Sequence, residues 1–269
     1  MKNKAWEGVI ELPMSGRAAK PRASGLTMVI DKGLGLAAVR DLLEVAGDVI
    51  DIVKLTFGTS AFYDRTLLQA KNRLLAEANV LSMPGGTFLE VAFWQGVLDG
   101  YLERARDLGF SAIEVSDGTI DVPIEDRARI IRRSREAGFR VISEVGKKDP
   151  RDAPPLSHLQ TLIREDLDNG AFKVIIEARE AGKGVGIFDS EGKTRREEVE
   201  QIAAGVSDVN DLLWEAPLKN QQQDLILRFG LNVNLGNIPP DEILALEALR
   251  RGVRGDTLRR AYLESLPAR

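Results

Sequence analysis

The sequence contains no cysteine and only one histidine among its 269 residues. The absence of cysteine excludes disulfides, thiolate catalysis and cysteine-ligated zinc. The single histidine, His158, stands in "PPLSHLQTL", where a helix is predicted to begin, so we expect it at the surface. Neither Ser-His-Asp catalysis nor a histidine-rich metal site is expected. Acid–base chemistry would have to come from lysines and carboxylates.

Long apolar runs and an excess of positive charge are also missing. No uninterrupted apolar stretch is long enough to cross a bilayer, and residues 1–22 are too polar for a signal peptide. The formal net charge of -4 gives no support for a nucleic-acid-binding surface. The hydrophobic fraction of 43% and the charged fraction of 29% are typical of globular proteins. We expect a cytoplasmic protein with neither a membrane nor a nucleic acid as partner.

Short apolar runs alternate with amphipathic helical patterns along the chain. Each run is rich in Val, Ile and Leu and is closed by Gly, Pro, Asp or Asn, which is typical of a buried strand. The predicted strands are "GLTMVID" (25–31), "IDIVKLT" (50–56), "NVLSMPG" (79–85), "SAIEVSD" (111–117), "RVISEVG" (140–146), "FKVIIEAR" (172–179), "DLLWEAP" (211–217) and "LNVNLGN" (231–237).

Strands that alternate with helices predict an α/β fold with parallel pairing and right-handed crossovers. Eight such units in a chain of this length favour a single (β/α)₈ TIM barrel. The alternative, an open doubly wound sheet, lacks a GxGxxG fingerprint after the first strand. We divide the chain into an N-terminal arm (1–24) and a barrel domain (25–269). A long loop after strand 6 is a candidate lid, with a small hairpin predicted about Glu191 and Gly192.

The fourth to seventh predicted strands each carry a glutamate after an apolar run. The carboxyl ends of barrel strands form the usual active-site face. One charged residue there is usually only a solvated terminus, but four on neighbouring strands would repel one another unless cations are present. Oxygen ligands without usable Cys or His predict Mg²⁺, with Mn²⁺ as a substitute. We expect at least two of these residues to bind the metal: Glu114, Glu144, Glu177 and Glu215.

Three lysines could supply the acid–base chemistry. Lys54 interrupts the apolar run "DIVKL", which is costly unless it faces carboxylates. Lys147 and Lys148 follow the fifth strand directly after Glu144, in "SEVGKK". One of this pair could be a plain surface lysine. Mg²⁺ with a lysine acid is the combination found in enolase-type sites.

Several motifs could bind an anionic substrate. The loop "EAREAGKGVG" offers two cations among glycines whose N–H groups are free to face a phosphate, and "NLGN" ends the last strand, where barrels often bind phosphate. The segments "KPR" and "DKG" add positive charge. The predicted substrate-binding residues are Arg22, Asp31, Lys32, Arg179, Lys183, Asn234, Gly236 and Asn237.

A series of unusual strings resembles the phosphosulfolactate synthase family. They include "GLTMVIDKGLG", "DIVKLTFGTSA", "PGGTFLE", "AIEVSDGTI", "SEVGKKDP", "VIIEAREAGKGVGIFD", "EAPLKNQQ", "NVNLGNIPP" and "LRRGVRGDTL", and they run in order from Lys20 to Leu258. The resemblance implies a (β/α)₈ barrel that adds sulfite to phosphoenolpyruvate with Mg²⁺, giving (2R)-phospho-3-sulfolactate for coenzyme M or sulfolactate synthesis. It places the acid lysine, which would protonate a metal-stabilised enediolate, on Lys148. Such an enzyme is a carbon–sulfur lyase acting in the synthetic direction.

Two other functions stay open. One is a Mg²⁺-dependent barrel enzyme acting on another enol or 2-hydroxy-acid phosphate, because no residue marks sulfite uniquely. The other is a non-catalytic role like that of heat-stress-associated plant relatives. Against it argues the intact set of Glu114, Glu144, Lys148, Glu177 and Arg179. Apolar residues in "FLEVAFWQGVL" predict a homo-oligomer, unless Trp94 and its neighbours pack against the barrel.

Overall fold

Eight parallel strands form one sheet that curls into a barrel in the computed structural model, which describes residues 4–266. All eight predicted strands are present. Their order is β3-β2-β1-β8-β7-β6-β5-β4. Their bounds are β1 Thr27–Asp31, β2 Ile52–Leu55, β3 Leu81–Pro84, β4 Ala112–Val115, β5 Arg140–Val145, β6 Lys173–Ile176, β7 Leu212–Glu215 and β8 Leu235–Ile238.

A layer of helices surrounds the sheet. The helix predicted after β3 is in fact two helices, because Gly96 adopts a left-handed conformation (φ +69°) between them. No helix in the described part of the chain is long and apolar enough to span a bilayer. The bounds are α1 Leu36–Ala46, α2 Arg65–Glu77, α3 Gly86–Trp94, α4 Leu98–Asp107, α5 Ile124–Glu136, α6 Leu156–Asp168, α7 Arg196–Ala204, α8 Lys219–Phe229, α9 Ile243–Arg250 and α10 Gly255–Ser265.

The barrel is nearly closed, with one seam between β3 and β4, which share no ladder. At the start of these strands, Ser111 donates its backbone N–H to the Ser82 carbonyl at 3.1 Å. At their carboxyl ends, the Gly86 N–H donates to the Glu114 carboxylate at 2.9 Å. The Ser82 N–H also donates to Ser111 Oγ at 2.9 Å. Isolated hydrogen bonds therefore replace a continuous ladder across this seam.

Side chains alternate between two cores because successive residues of a strand face opposite sides. Val29, Val53 and Ile113 belong to the large core between strands and helices. The barrel interior is filled by a second apolar cluster, whose members include Ile52, Ala112, Ile142, Ile175 and Leu213. The residue two positions after each of these five also faces inward. Those positions hold Lys54, Glu114, Glu144, Glu177 and Glu215.

The N-terminal arm crosses the floor of the barrel, where the strands begin. Arg22 donates to both Asp51 oxygens, and Arg17 pairs with Glu247 at 3.1 Å. The Lys20 ammonium donates to backbone carbonyls after α1 and α2. These contacts place the arm at the end of the barrel opposite the glutamates. Residues 1–3 of the predicted arm and residues 267–269 of the predicted barrel domain lie outside the described residues.

The long loop after β6 is present and spans residues 177–195. Its predicted hairpin is confirmed by an antiparallel bridge between Phe188 and Thr194. The buried side-chain amide of Gln221, at the start of α8, donates to the carbonyls of Gly182 and Gly192 at 2.6 and 3.1 Å. One amide thus ties two points of the loop to the barrel.

Candidate active site

A lysine ammonium lies at the centre of the barrel mouth among carboxylates. Lys54 Nζ is 2.9 Å from Glu114 and 2.9 Å from Glu144, and 3.4 Å from Glu215. It donates hydrogen bonds to Glu144 and Glu215, whereas its contact with Glu114 Oε2 lacks hydrogen-bond alignment. Lys54 and these three glutamates are all buried. The predicted pairing of the mid-strand lysine with the carboxylates is therefore present in the structure.

The cluster moves the pKa values of its members in different directions. Burial alone would lower the pKa of Lys54, but the surrounding glutamates outweigh it and hold that pKa well above its ordinary value. Burial opposes ionisation of Glu144, yet the nearby Lys54 ammonium brings the pKa of this carboxyl well below normal. Burial raises the pKa of Glu114 to about 8, with Lys54 acting in the opposite sense. Burial, reinforced by Glu144, also raises the pKa of Glu177.

Three carboxylate oxygens of the cluster are buried without a hydrogen-bond partner. Glu114 Oε2 is 2.9 Å from the Lys54 ammonium, which leaves Glu144 Oε1 and Glu177 Oε2. They fit a hard cation, because Mg²⁺ often takes only one or two protein carboxylates together with waters and substrate oxygens. Glu114 and Glu215 are already engaged, by the Gly86 and Ala178 N–H groups and by Lys54. Within residues 4–266 no group of three or more His, Cys, Asp or Glu is arranged as a ready metal site. Metal binding by the glutamates stays a prediction, and Glu144 and Glu177 are the two whose free oxygens fit it best.

The lysine pair after β5 separates into two environments. Lys148 Nζ donates to Thr87 Oγ1 at 2.6 Å and lies 3.8 Å from both Glu144 and Glu90. Lys147 turns away from the carboxylate cluster and contacts Asp117 and Asp121 on the loop after β4. Both lysines line an open cleft of about 940 Å³ beside the barrel mouth. Lys148 is therefore the one whose ammonium reaches the cluster.

Other predicted residues lie on the same side of the barrel. Arg179 is exposed beside Lys148, in a left-handed conformation (φ +60°), and its backbone N–H donates to Glu177 Oε1 at 2.6 Å. Lys183 is exposed on the long loop, and Lys32 is exposed after β1. Asn237 is the penultimate residue of β8, and its buried Oδ1 has no hydrogen-bond partner. These groups could receive an anion at the mouth.

Two predicted substrate-binding residues belong to the floor and are corrected. Arg22 is engaged by Asp51, just before β2, as part of the arm. Asn234 donates to the carbonyls of Asn210 and Leu212 and accepts from the Leu26 N–H, all where strands begin. Both residues stabilise the end opposite the candidate site. The string "NLGN" begins one residue before β8 and covers most of this short strand, so its first residue lies at the floor and not at the mouth.

Asp31 and Gly236 are corrected for a different reason, because each serves packing. Asp31 faces outward, forms an ion pair with Lys71 of α2 and accepts from the backbone of the following turn. Gly236 lies inside the barrel, where an added Cβ would be 2.5 Å from Leu213 and 2.6 Å from Met28. The presence of a charged residue or a glycine near a strand end therefore does not show by itself whether that position faces the barrel interior or the surrounding helices.

Sequence reasoning missed the part of the site that α3 contributes. Thr87 contacts Lys148, and Glu90 is a buried carboxylate that accepts from Ser116 Oγ at 2.7 Å. An added Cβ at Gly86 would lie 2.7 Å from Glu114 Oε1, so this glycine permits the close approach of α3. The string "PGGTFLE" held the signal, but on its own it predicts only a turn into a helix. His158, as predicted, is exposed.

A family model described as (2R)-phospho-3-sulfolactate synthase matches residues 15–256. The chain belongs to this family. The phosphosulfolactate synthase of Methanocaldococcus jannaschii is 47% identical over 87% of this chain and 93% of its own length. That of Methanothermobacter thermautotrophicus is 43% identical over 92% of this chain and 96% of its own length. These relatives support an enzyme.

A more distant relative, Protein HEAT-STRESS-ASSOCIATED 32 of Arabidopsis thaliana, is 23% identical over 87% of this chain and 88% of its own length. Among solved structures, a phosphonopyruvate hydrolase in complex with oxalate and Mg²⁺ aligns with a TM-score of 0.55 and 16% identity, over 90% of this chain and 87% of that one. A 2,3-dimethylmalate lyase, described as a member of the PEP mutase/isocitrate lyase superfamily, aligns with a TM-score of 0.52 and 14% identity, over 91% and 83%. At this identity the likeness shows the barrel fold alone.

Proposed function

We propose that this protein is a phosphosulfolactate synthase that adds sulfite to phosphoenolpyruvate and requires Mg²⁺. The observation that carries the proposal is the position of Lys148. Its ammonium lies at the edge of a buried carboxylate cluster in which Glu144 Oε1 and Glu177 Oε2 have no hydrogen-bond partner, at the mouth of a barrel whose family is described as (2R)-phospho-3-sulfolactate synthase. A cationic acid next to a cation-binding carboxylate set suits a reaction that creates and then quenches a carbanion-like centre.

In the proposed reaction, the sulfur lone pair of sulfite forms a bond to C3 of phosphoenolpyruvate. The electrons of the C2–C3 double bond move toward C2 and the C1 carboxylate. Lys148 then donates its proton to C2, which fixes the configuration there. When bound by Glu144 and Glu177, Mg²⁺ would supply positive charge opposite the substrate carboxylate. Sulfite is a good nucleophile by itself, so the lack of cysteine and of a site histidine is no obstacle.

The cations around the mouth would bring the two anionic substrates together. Arg179 and Lys183 stand on the long loop, and Lys32 stands after β1. All three are exposed, so they can contact a phosphate or sulfonate that rests above the cluster. We propose that Arg179 and Lys183 hold the phosphate. Lys54 would act as a fixed charge, because the surrounding carboxylates hold its pKa well above the usual value and disfavour loss of its proton, although burial acts the other way.

A direct assay tests the proposal. The purified protein is incubated with sulfite, phosphoenolpyruvate and Mg²⁺, the loss of enol absorbance is followed, and the product is identified by ³¹P NMR. We expect consumption of phosphoenolpyruvate only when sulfite and the metal are both present. Consumption without sulfite would indicate another enol phosphate reaction. The absence of any turnover would favour the non-catalytic alternative.

We also propose that the protein is a homo-oligomer. Trp94 does not pack against the barrel, since it is 75% exposed, and Val97 nearby is 50% exposed. Light scattering coupled to size exclusion would give the mass of the particle. A particle of the 29.6 kDa monomer mass at all concentrations would contradict this proposal.

A further inference from the structure

We infer that Thr87 and Glu90, on the helix after β3, are positioning residues that hold the Lys148 ammonium above the carboxylate cluster. The inference rests on the proposed function for its consequence in catalysis, but the restraint on the lysine is a property of the protein alone. Neither residue belongs to the strand-end set on which the sequence prediction was built.

Hydrogen bonds that do not involve Lys148 fix the orientation of the Glu90 carboxylate. It is 2% exposed, and its Oε1 accepts from Ser116 Oγ at 2.7 Å. Its Oε2 accepts from the backbone N–H groups of Thr119 and Ile120, both at 2.9 Å. Three hydrogen bonds hold the carboxylate in one orientation and also shape the loop after β4. That loop receives Lys148, because the Gly118 carbonyl accepts from the Lys148 backbone N–H at 3.0 Å.

The side chain of Lys148 is then restrained on several sides. Its ammonium donates to Thr87 Oγ1 at 2.6 Å and lies 3.8 Å from Glu90 Oε1 and from Glu144 Oε1. An added Cβ at Gly118 would be 3.3 Å from both Cε and Nζ, so the lysine stem lies flat against that glycine. A free lysine on a flexible four-carbon stem would sample many rotamers. Here one hydroxyl and two carboxylates select one position.

Among residues 4–266, Lys148 is the only cation that forms an ion pair with Glu90. Its hydrogen-bond donors are neutral, and a neutral glutamine would be cheaper to bury among them. The cost of a buried carboxylate is offset where its charge attracts a nearby cation, and Lys148 is that cation. Thr87 sets the direction of the ammonium, while Glu90 and Glu144 hold it between them.

The test compares Thr87→Val, Thr87→Ser and Glu90→Gln with the unchanged protein. Thr257→Val is the matched control, because Thr257 is buried in α10 and its hydroxyl donates to the Leu249 carbonyl at 2.8 Å, remote from the site. The first readout needs no substrate: the rate at which Lys148 is acetylated by a limiting reagent, measured by mass spectrometry and normalised to the exposed Lys193. The second is the separate effect on kcat and on the KM for phosphoenolpyruvate.

We expect Lys148 in Thr87→Val and Glu90→Gln to react several-fold faster, with kcat lower by about tenfold and KM nearly unchanged. Thr87→Val removes a hydrogen bond to the ammonium, and Glu90→Gln removes a carboxylate charge 3.8 Å from it. Thr87→Ser and Thr257→Val should match the unchanged protein in both readouts. Unaltered acetylation of Lys148 in both Thr87→Val and Glu90→Gln would overturn the inference. A changed KM with unchanged kcat would also overturn it, since the residues would then contact substrate. Faster acetylation in an otherwise inactive protein would refute the proposed function and leave the positioning intact.

Discussion

Lys54 donates a hydrogen bond of 2.9 Å to Glu144 at the centre of the barrel mouth. The two residues come from β2 and β5, which are separated in the ring by β3 and β4. The ammonium therefore spans the interior instead of linking neighbouring strands. It is the counter-ion that lets several carboxylates share one buried space.

Replacement of Lys54 by methionine should strongly destabilise the protein. The change keeps the side-chain volume but leaves several buried carboxylates without their central cation, and breaking a buried ion pair typically costs about 3–5 kcal/mol. Lys173→Met is the matched control, because that buried lysine pairs only with Asp211, at 3.4 Å, among the described residues. Urea denaturation should show the larger loss for Lys54→Met. Equal losses would mean that the cluster does not depend on this ammonium.

Glu114→Gln should change how stability depends on pH. Burial, against the pull of Lys54, raises the pKa of folded Glu114 to about 8, above its ordinary value of 4.5. The folded protein therefore binds more protons than the unfolded chain between these two values, so this group's contribution to stability falls as pH rises through that window. Glutamine does not titrate. The free energy of unfolding of the variant should decline less from pH 5 to 8, by at most about 4 kcal/mol.

The measurement is urea denaturation at several pH values, with Glu247→Gln as a control at the barrel floor, where Glu247 pairs with Arg17. If the unchanged protein and Glu114→Gln lose the same stability between pH 5 and 8, Glu114 is ionised throughout that range.

Changes of Glu144 and Glu177 to glutamine should weaken Mg²⁺ binding. Glu144 Oε1 and Glu177 Oε2 are buried without a hydrogen-bond partner, and an amide is a poorer ligand for a hard cation than a carboxylate. Calorimetric titration with Mg²⁺ should show about tenfold weaker binding or none for each variant, since a carboxylate charge is lost. Glu180→Gln, on the loop beside Arg179, should bind as the unchanged protein does. Unaltered binding in both site variants would move the metal elsewhere.

Lys148→Ala and Lys147→Ala should differ sharply in turnover. Only Lys148 reaches the cluster, and a positioned acid contributes roughly 10²- to 10⁴-fold. Lys148→Ala should lose kcat on that scale with Mg²⁺ affinity nearly normal, whereas Lys147→Ala should cost much less. Steady-state kinetics with sulfite and phosphoenolpyruvate would measure both. The reverse ranking would exchange the two roles, and full activity in both variants would make Lys54 the next candidate acid.

Arg179→Ala and Arg22→Ala should separate the two ends of the barrel. Arg179 is exposed at the mouth, so its loss should mainly raise the KM for phosphoenolpyruvate. Arg22 is tied to Asp51 at the floor, so its loss should lower the free energy of unfolding and leave KM unchanged. Kinetics and denaturation on both variants would measure the two effects. A raised KM for Arg22→Ala would place substrate contacts where the structure shows an ion pair.

The barrel and most of its mouth could be predicted, because both follow from the hydrophobic periodicity of the segments and from the alternation of strands and helices along the chain. Parallel strands bring their carboxyl ends to one face, so the sequence predicts that Lys54 and the four strand-end glutamates lie together. Direction along a strand is harder to read: Asp31 and Asn234 lie near strand ends, but one faces outward and the other lies at the floor. Thr87 and Glu90 were not predictable, because they enter the site through the packing of α3 across the β3–β4 seam.

The seam between β3 and β4 links a residue of the candidate site to the closure of the barrel. At the mouth, the Gly86 N–H donates a hydrogen bond to the Glu114 carboxylate across this seam, where the strands share no ladder. The same carboxylate borders the central lysine. Loss of the Glu114 charge should therefore weaken both the hydrogen bond across the seam and the ion pair with Lys54.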